Sequence, residues 1–314
     1  MNFMSMAFLY SLMSVVSYSN ILAAILATMG GFFFALRAIL VKKATVSGDP
    51  LEAVLVSYFV NFLTFLPLTL LLYGFSPGFT IKSIIAFIGA GLFGSFLGRT
   101  FSFLGIERVG ASRTIPISNG YILLGSVFGI LLLAEPITIG HFWGIILLVA
   151  GVFIVSYEIQ STSSDSLGKW KISIGLIFPL GALLFFSLDS VVAKVGLLEK
   201  TPAIPGLTLK FATASLMMSL FFLFRNRSLE APFKAEDRKT YLWAGLVGSL
   251  AMGFYYLALG LARVVVVLPF IGLTPVFVLV LTYFYLQKLE RITTLITIGT
   301  ILVVSGIVLT SIFM

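Results

Sequence analysis

Gly105-Ile-Glu-Arg-Val109 and Gly260-Leu-Ala-Arg-Val264 are the same phrase 155 positions apart, and the copy stays in phase as far as Ser156 and Ser311. Glu135-Pro-Ile-Thr138 falls on Glu290-Arg-Ile-Thr293, and Gly144 and Gly151 fall on Gly299 and Gly306. Chance identities are common in an apolar alphabet. One ungapped shift that keeps glycines, an Arg and a Glu in register marks an internal duplication, which has to be counted before any element is assigned.

Outward from the repeat, the chain is too apolar for a soluble globule. Hydrophobic residues make up 59% and charged residues 10%, against roughly 45–50% and about 25% in soluble domains. The apolar residues come in runs of about 20, the length of a membrane-crossing helix. The fold class expected is an all-α polytopic membrane protein with ten transmembrane helices, arranged as two inverted five-helix repeats. Residues 1–19 form an apolar N-terminal segment without Lys or Arg, so no basic n-region marks a secretory signal; they either lie at the interface or add a partial span. The first repeat covers 20–157, a polar linker 158–171, and the second repeat 172–314. The spans expected are 20–41, 51–73, 81–105, 113–133 and 139–157, then 172–195, 203–224, 240–261, 265–286 and 291–313. An odd number of helices per half sends the second half into the membrane from the opposite side, as in many secondary transporters.

The net charge of +8 would point to nucleic acid in a soluble protein. Here the basic residues sit mainly in alternate loops, where topology accounts for them, so no nucleic-acid partner is expected. Lys42, Lys43, Arg108, Arg113, Lys169, Lys171, Arg225, Arg227, Lys234, Arg238, Lys239, Lys288 and Arg291 share one side, against Lys82, Lys194, Lys200 and Arg263 on the other. By the positive-inside rule the first set is cytoplasmic and both termini lie outside, unless residues 1–19 add an eleventh span. The expected location is the cell membrane, multi-pass, with the bilayer and a small-molecule solute as partners and the oligomeric state undetermined.

The repeated segments resemble the EamA-type family of the drug/metabolite transporter superfamily. The likeness rests on Ala258-Leu-Gly-Leu-Ala-Arg263, Pro275-Val-Phe277, Leu289-Glu290-Arg-Ile-Thr293, Gly299 and Ser305-Gly306, with Gly105-Ile-Glu-Arg108, Glu135-Pro-Ile-Thr138 and Ala150-Gly151 in the first half. Gly120 stands where the second half has Pro275. Lys210, within Leu207-Thr-Leu-Lys-Phe211, looks like the family's basic residue early in the second helix of a repeat, whereas Tyr58 fills that place in the first half. The resemblance implies ten helices around a central cavity, export or exchange of small metabolites such as amino acids, and cytoplasmic termini, opposite to the charge count.

Ionisable side chains inside spans are costly and default to functional hypotheses. Arg99 lies about 12 Å from its helix end, near mid-membrane. Its guanidinium suits a carboxylate on the solute; binding of backbone carbonyls is the structural alternative. Arg37 and Asp189 occupy equivalent positions, but roughly 15 Å separates them along the membrane normal. Asp189 and Lys210 share a depth and make the better pair, either structural or a coupling device that opens during transport. Arg37 is expected to snorkel or to meet Glu52. Asn119, Tyr121, Tyr255, Tyr256 and Thr274 are the neutral candidates for lining the cavity, together with Asn61 and Ser118. Pro116, Gly120 and Pro275 would free backbone carbonyls beside them. Glu135 and Glu290 are expected to stabilise helix starts, and His141 to sit at the interface beside Trp143.

With no Cys and a single His, neither a metal site nor a catalytic constellation is legible, so no cofactor is expected and an enzyme is disfavoured. No Gly-Lys-Ser/Thr phosphate loop is present, which disfavours direct use of ATP. A secondary transporter by alternating access, of an anion or zwitterion rather than a lipophilic cation, is the reading, with a passive channel on the same scaffold as the alternative.

Overall fold

The computed structural model describes residues 18–46, 48–121, 123–125, 128, 142–144, 146–147, 150–151, 154, 174–261, 267, 270–286 and 292–312. The first seventeen residues, the linker, Glu135, His141, Arg263 and Glu290 lie outside the described residues. Among those described, all regular structure is helical. The helices are α1 (Tyr18–Ala44), α2 (Pro50–Tyr73), α3 (Ile81–Ala90), a π-helical stretch π1 (Gly91–Arg99), α4 (Thr100–Val109), α5 (Ala111–Asn119), α6 (Ile177–Leu198), α7 (Ala203–Phe224), the short α8 (Ala231–Lys234), α9 (Arg238–Leu261), α10 (Thr274–Tyr285) and α11 (Thr294–Ile312). Among the described residues, six stretches are long and apolar enough to cross a bilayer: Ile21–Ala44, Pro50–Tyr73, Ile81–Val109, Ile177–Leu198, Ala203–Phe224 and Arg238–Ala258. Their outward faces carry large apolar side chains in the open, among them Leu71 at 81% and Phe224 at 85% exposure. Lipid is the solvent in which such surfaces are stable.

Local chemistry sets the helix ends. The Asp49 side chain accepts from the Leu51 amide at 2.7 Å and Pro50 opens α2, so two orphan-donor problems of a helix start are removed at once. Thr80 and Ser83 form a reciprocal capping box at α3. Gly110, at φ 94°, is the whole connection between α4 and α5, a conformation open to glycine at little cost.

The third span departs from the uniform α-helix its sequence predicts. Tyr58 Oη donates to the Ser95 carbonyl, and Thr100 Oγ1 donates to the Phe96 carbonyl. Side chains that insert into the backbone ladder loosen it locally, and π1 is the result. Replacing Tyr58 by Phe is expected to cost about 1 kcal/mol and to tighten π1 toward α geometry, read as slower amide exchange at residues 95–100. The ninth expected span is also interrupted. A turn at Gly272-Leu273 precedes α10, because Pro275 has no amide to continue a helix through it.

Small residues allow the helices to approach closely. A Cβ on Gly30 would lie 3.3 Å from the Ala251 carbonyl, and one on Gly151 would lie 2.6 Å from the Gly299 carbonyl. The packing has a regular pattern. α1 lies along α9, and α6 lies along α3, π1 and α4. α10 meets α1, and α5 meets α6. α9 packs on α2, and π1 and α3 pack on α7. α2 faces α7, and α5 faces α10. Exchanging the elements before the linker for those after it maps this set onto itself.

Candidate functional site

The polar centre sits where α6, α7 and π1 meet. Lys210 of α7, 1% exposed, places Nζ 2.8 Å from Asp189 Oδ1 and 2.7 Å from Oδ2. The close approach depends on Gly94. A Cβ there would lie 2.1 Å from Asp189 Cγ, and one on Gly91 would lie 2.6 Å from the Lys210 carbonyl. Glycines spaced along π1 therefore seat the ion pair against the helix rather than beside it.

Arg99, the last residue of π1, is 2% exposed. Its guanidinium lies 5.2 Å from the Phe211 ring centroid and 5.8 Å from that of Tyr58. Arg37, 9% exposed, lies 5.1 Å from the Phe34 ring centroid. Arg37 neither snorkels nor meets Glu52. Glu52 Oε1 instead lies 3.8 Å from Arg227 Nη2, because the α7–α8 turn brings Arg227 over the start of α2. The depth argument that separated Arg37 from Asp189 agrees with the partner Asp189 takes.

The neutral candidates divide. Tyr256 is buried, and Tyr121 and Tyr255 are half-buried. The Tyr255 and Tyr256 rings meet edge to face at 5.5 Å, and Tyr121 meets Phe186 of α6 at 5.8 Å. Of the three, Tyr121 is joined to the charged centre, because Phe186 also lies against Gly98 of π1. Asn119 has a buried side-chain nitrogen without a partner. Thr274 is committed to the backbone, donating to the Ile271 carbonyl at 2.6 Å across the turn before α10. Asn61 belongs to a network with Ser249 (2.9 Å) and the Ser57 carbonyl.

Two ionic links join elements on either side of the linker, at opposite ends of α2 and α7. At one end Arg227 pairs with Asp49, with Glu52 alongside. At the other, Lys82 Nζ lies 2.8 Å from Glu199 Oε1, and Thr80 donates to Glu199 Oε2. In each link an acid beside the first helix junction of one half meets a base beyond the second helix of the other. Reading charges as loop topology alone misses this; the signal was the placement of Asp49 and Glu199 at matching junctions. The hydrogen bond from Lys82 holds the Glu199 carboxyl below its ordinary value of 4.5. A lowered pKa means that the link is fully present above that ordinary value and is lost as pH falls through the lowered one. Among the described residues no group of three or more His, Cys, Asp or Glu is placed to hold a metal.

A helical bundle with an apolar girdle and an ionic, phenolic centre deep inside its spans is a polytopic membrane protein of the transporter type. The chain belongs to the EamA-like transporter family, whose sequence profile matches residues 21–157 and again 173–312. The two matches divide the chain close to where the internal repeat does. A solved structure, titled only as the crystal structure of a protein, is 16% identical with a TM-score of 0.61, covering 91% of this chain and 96% of its own; that likeness is one of fold. No curated protein matches the chain.

Proposed function

We propose that the protein is a secondary transporter in the cell membrane that exports or exchanges small organic metabolites by alternating access between two inverted five-helix repeats. The observation that carries the reading is the centre itself: Lys210 and Arg99 lie buried, and Asp189 half-buried, where helices from both sides of the linker meet. Buried intramembrane charges mark transport pathways. The packing pattern that survives exchange of the halves supports an inverted repeat. In this reading Arg99, Asn119, Tyr121, Tyr255 and Tyr256 contact the solute, Thr274 shapes the break that exposes backbone to it, and Asp189–Lys210 is the coupling pair, with Arg37 beside Arg99.

The two ionic links are the gates. Arg227–Asp49/Glu52 closes one entrance and Lys82–Glu199 the other, and transport requires each to open in turn. The chain has no cysteine, so introduced thiols are the only ones present. In Asp49→Cys/Arg227→Cys and in Thr80→Cys/Glu199→Cys, a reducible thiol cross-linker is expected to stop exchange, and reduction to restore it. Undiminished exchange with either link locked would remove the gate assignment.

The reading as a whole is tested by uptake and counterflow in proteoliposomes, with labelled amino acids and organic acids. Saturable uptake accelerated by solute on the far side supports a carrier. Uptake that neither saturates nor shows counterflow is the behaviour of a channel and overturns it.

A further inference from the structure

Among the described spans, four charges lie seven or more residues from either end of their span: Arg37, Arg99, Asp189 and Lys210. Three cations face one carboxylate, and that carboxylate is already held by Lys210 through both oxygens. The buried centre therefore carries an excess of two positive charges, one on each guanidinium. Arg stays protonated in essentially every protein environment, so neither charge is removed by losing a proton.

The two guanidiniums are incompletely satisfied. Arg99 Nε and Nη1 and Arg37 Nη1 are buried without a hydrogen-bond partner. The rings of Phe34, Phe211 and Tyr58 stand against them. A ring stabilises the cation electrostatically but accepts little from its N–H edges. Arg99 stands against Tyr58, and Arg37 stands beside Asn61 against Gly248; Tyr58 and Asn61 are one turn apart on α2, so the two guanidiniums flank adjacent turns of one helix. Ser95, one turn before Arg99 on π1, also has a buried hydroxyl without a partner. Like charges held close with free donors are unstable alone and are stabilised by an anion that meets both.

We propose that Arg37 and Arg99 form a paired guanidinium subsite between α1, α2 and π1 that takes a small dianion, a dicarboxylate or a phosphate monoester. As a substrate assignment this rests on the transport reading; as a binding site it does not. Planar guanidinium edges match carboxylate and phosphate oxygens equally well, and two negative charges cancel the excess. The Lys210–Asp189 pair is neutral overall and leaves that balance unchanged.

The test uses the purified full chain in detergent at constant ionic strength. Succinate and sn-glycerol 3-phosphate are compared with acetate and alanine, read first as the thermal unfolding midpoint and then as counterflow in proteoliposomes. At least one of the two dianions is expected to raise the midpoint saturably, more than acetate and with alanine inert, and which of the two does so identifies the source of the charge. Arg37→Gln and Arg99→Gln are each expected to weaken that effect about ten- to hundredfold, while Lys239→Gln leaves it unchanged. Without ligand, Arg99→Gln is expected to unfold at a higher temperature than the wild type, since it removes an uncompensated charge; a purely structural Arg99 gives the opposite shift. If neither dianion moves the midpoint, or the Arg variants respond like wild type, the subsite is overturned. Saturable exchange of a neutral or cationic solute that ignores both Arg substitutions also overturns it and leaves the transport reading standing. Dianion stabilisation without exchange of any solute supports the subsite and overturns the transport reading.

Discussion

Asp189→Asn is expected to lower the unfolding midpoint of the purified protein sharply and to abolish exchange. Lys210 is 1% exposed and makes its two ionic hydrogen bonds to Asp189. Removing the carboxylate leaves a buried ammonium without its counterion, a change that costs about 3–5 kcal/mol in protein interiors. In a bilayer the separated helices still find other partners, so the lower end of that range, about 3 kcal/mol, is the expected value. Stability and function are separated by a second variant. Asp189→Leu combined with Lys210→Met removes both charges and is expected to recover most of the midpoint, because replacing a buried pair by packed apolar groups is often neutral or better. That double variant is expected to remain inactive. Recovery of exchange in the double variant would make the pair structural and refute its role in coupling.

The second large effect is expected at a residue with no functional group. Gly94→Ala places a Cβ 2.1 Å from Asp189 Cγ and 2.5 Å from its Cβ. Neither atom is the free end of a mobile chain, since Lys210 holds the carboxylate. Either π1 moves away from α6, or Asp189 turns off Lys210. Overpacking of this kind costs about 1–3 kcal/mol, and exchange is expected to fall with it. The mechanism predicts strong non-additivity. Gly94→Ala adds little to Asp189→Gly, because that change removes the atoms the new Cβ would meet, and a double-mutant cycle measures this. Gly253→Ala is the control. A Cβ there meets nothing within 4 Å, and the helical glycine becomes a better helix former, so a gain of up to about 1 kcal/mol is expected. Equal, additive losses at both glycines would mean that general helix packing, not the Asp189 seat, sets the effect.

The neutral phenols show why part of the site was readable and part was not. Tyr121, Tyr255 and Tyr256 were candidates because they are polar residues on repeated helices, and the fold packs Tyr121 on Phe186 of α6, which lies against π1. Thr274 was a candidate on the same grounds, yet its hydroxyl is used by the Ile271 carbonyl. Sequence position gives a helix and an approximate depth; it does not say whether a hydroxyl faces a neighbour or its own backbone. The expectation that Arg37 would snorkel or meet Glu52 failed for a related reason. It depended on where the α7–α8 turn lies, and that turn carries Arg227 onto Asp49 and Glu52.

The sequence by itself determined the membrane class, the family, the duplication and, among the described residues, the bounds of α2, α7 and α9 to within two residues. Apolar run length and breaker residues are local properties, and a repeat is visible in one dimension. It also placed Asp189 and Lys210 at a common depth, because helix rise converts residue number into distance. Only the tertiary structure decided the rest: the π-helical stretch at Gly91–Arg99, the seat of Asp189 against Gly94, the ring-flanked guanidinium of Arg99 and the ionic links at both ends of α2 and α7. Each depends on contacts between residues far apart in the chain, such as Tyr58 with Ser95 and Arg227 with Asp49. Such contacts are fixed by how whole helices rotate and approach, which no local pattern of residues encodes.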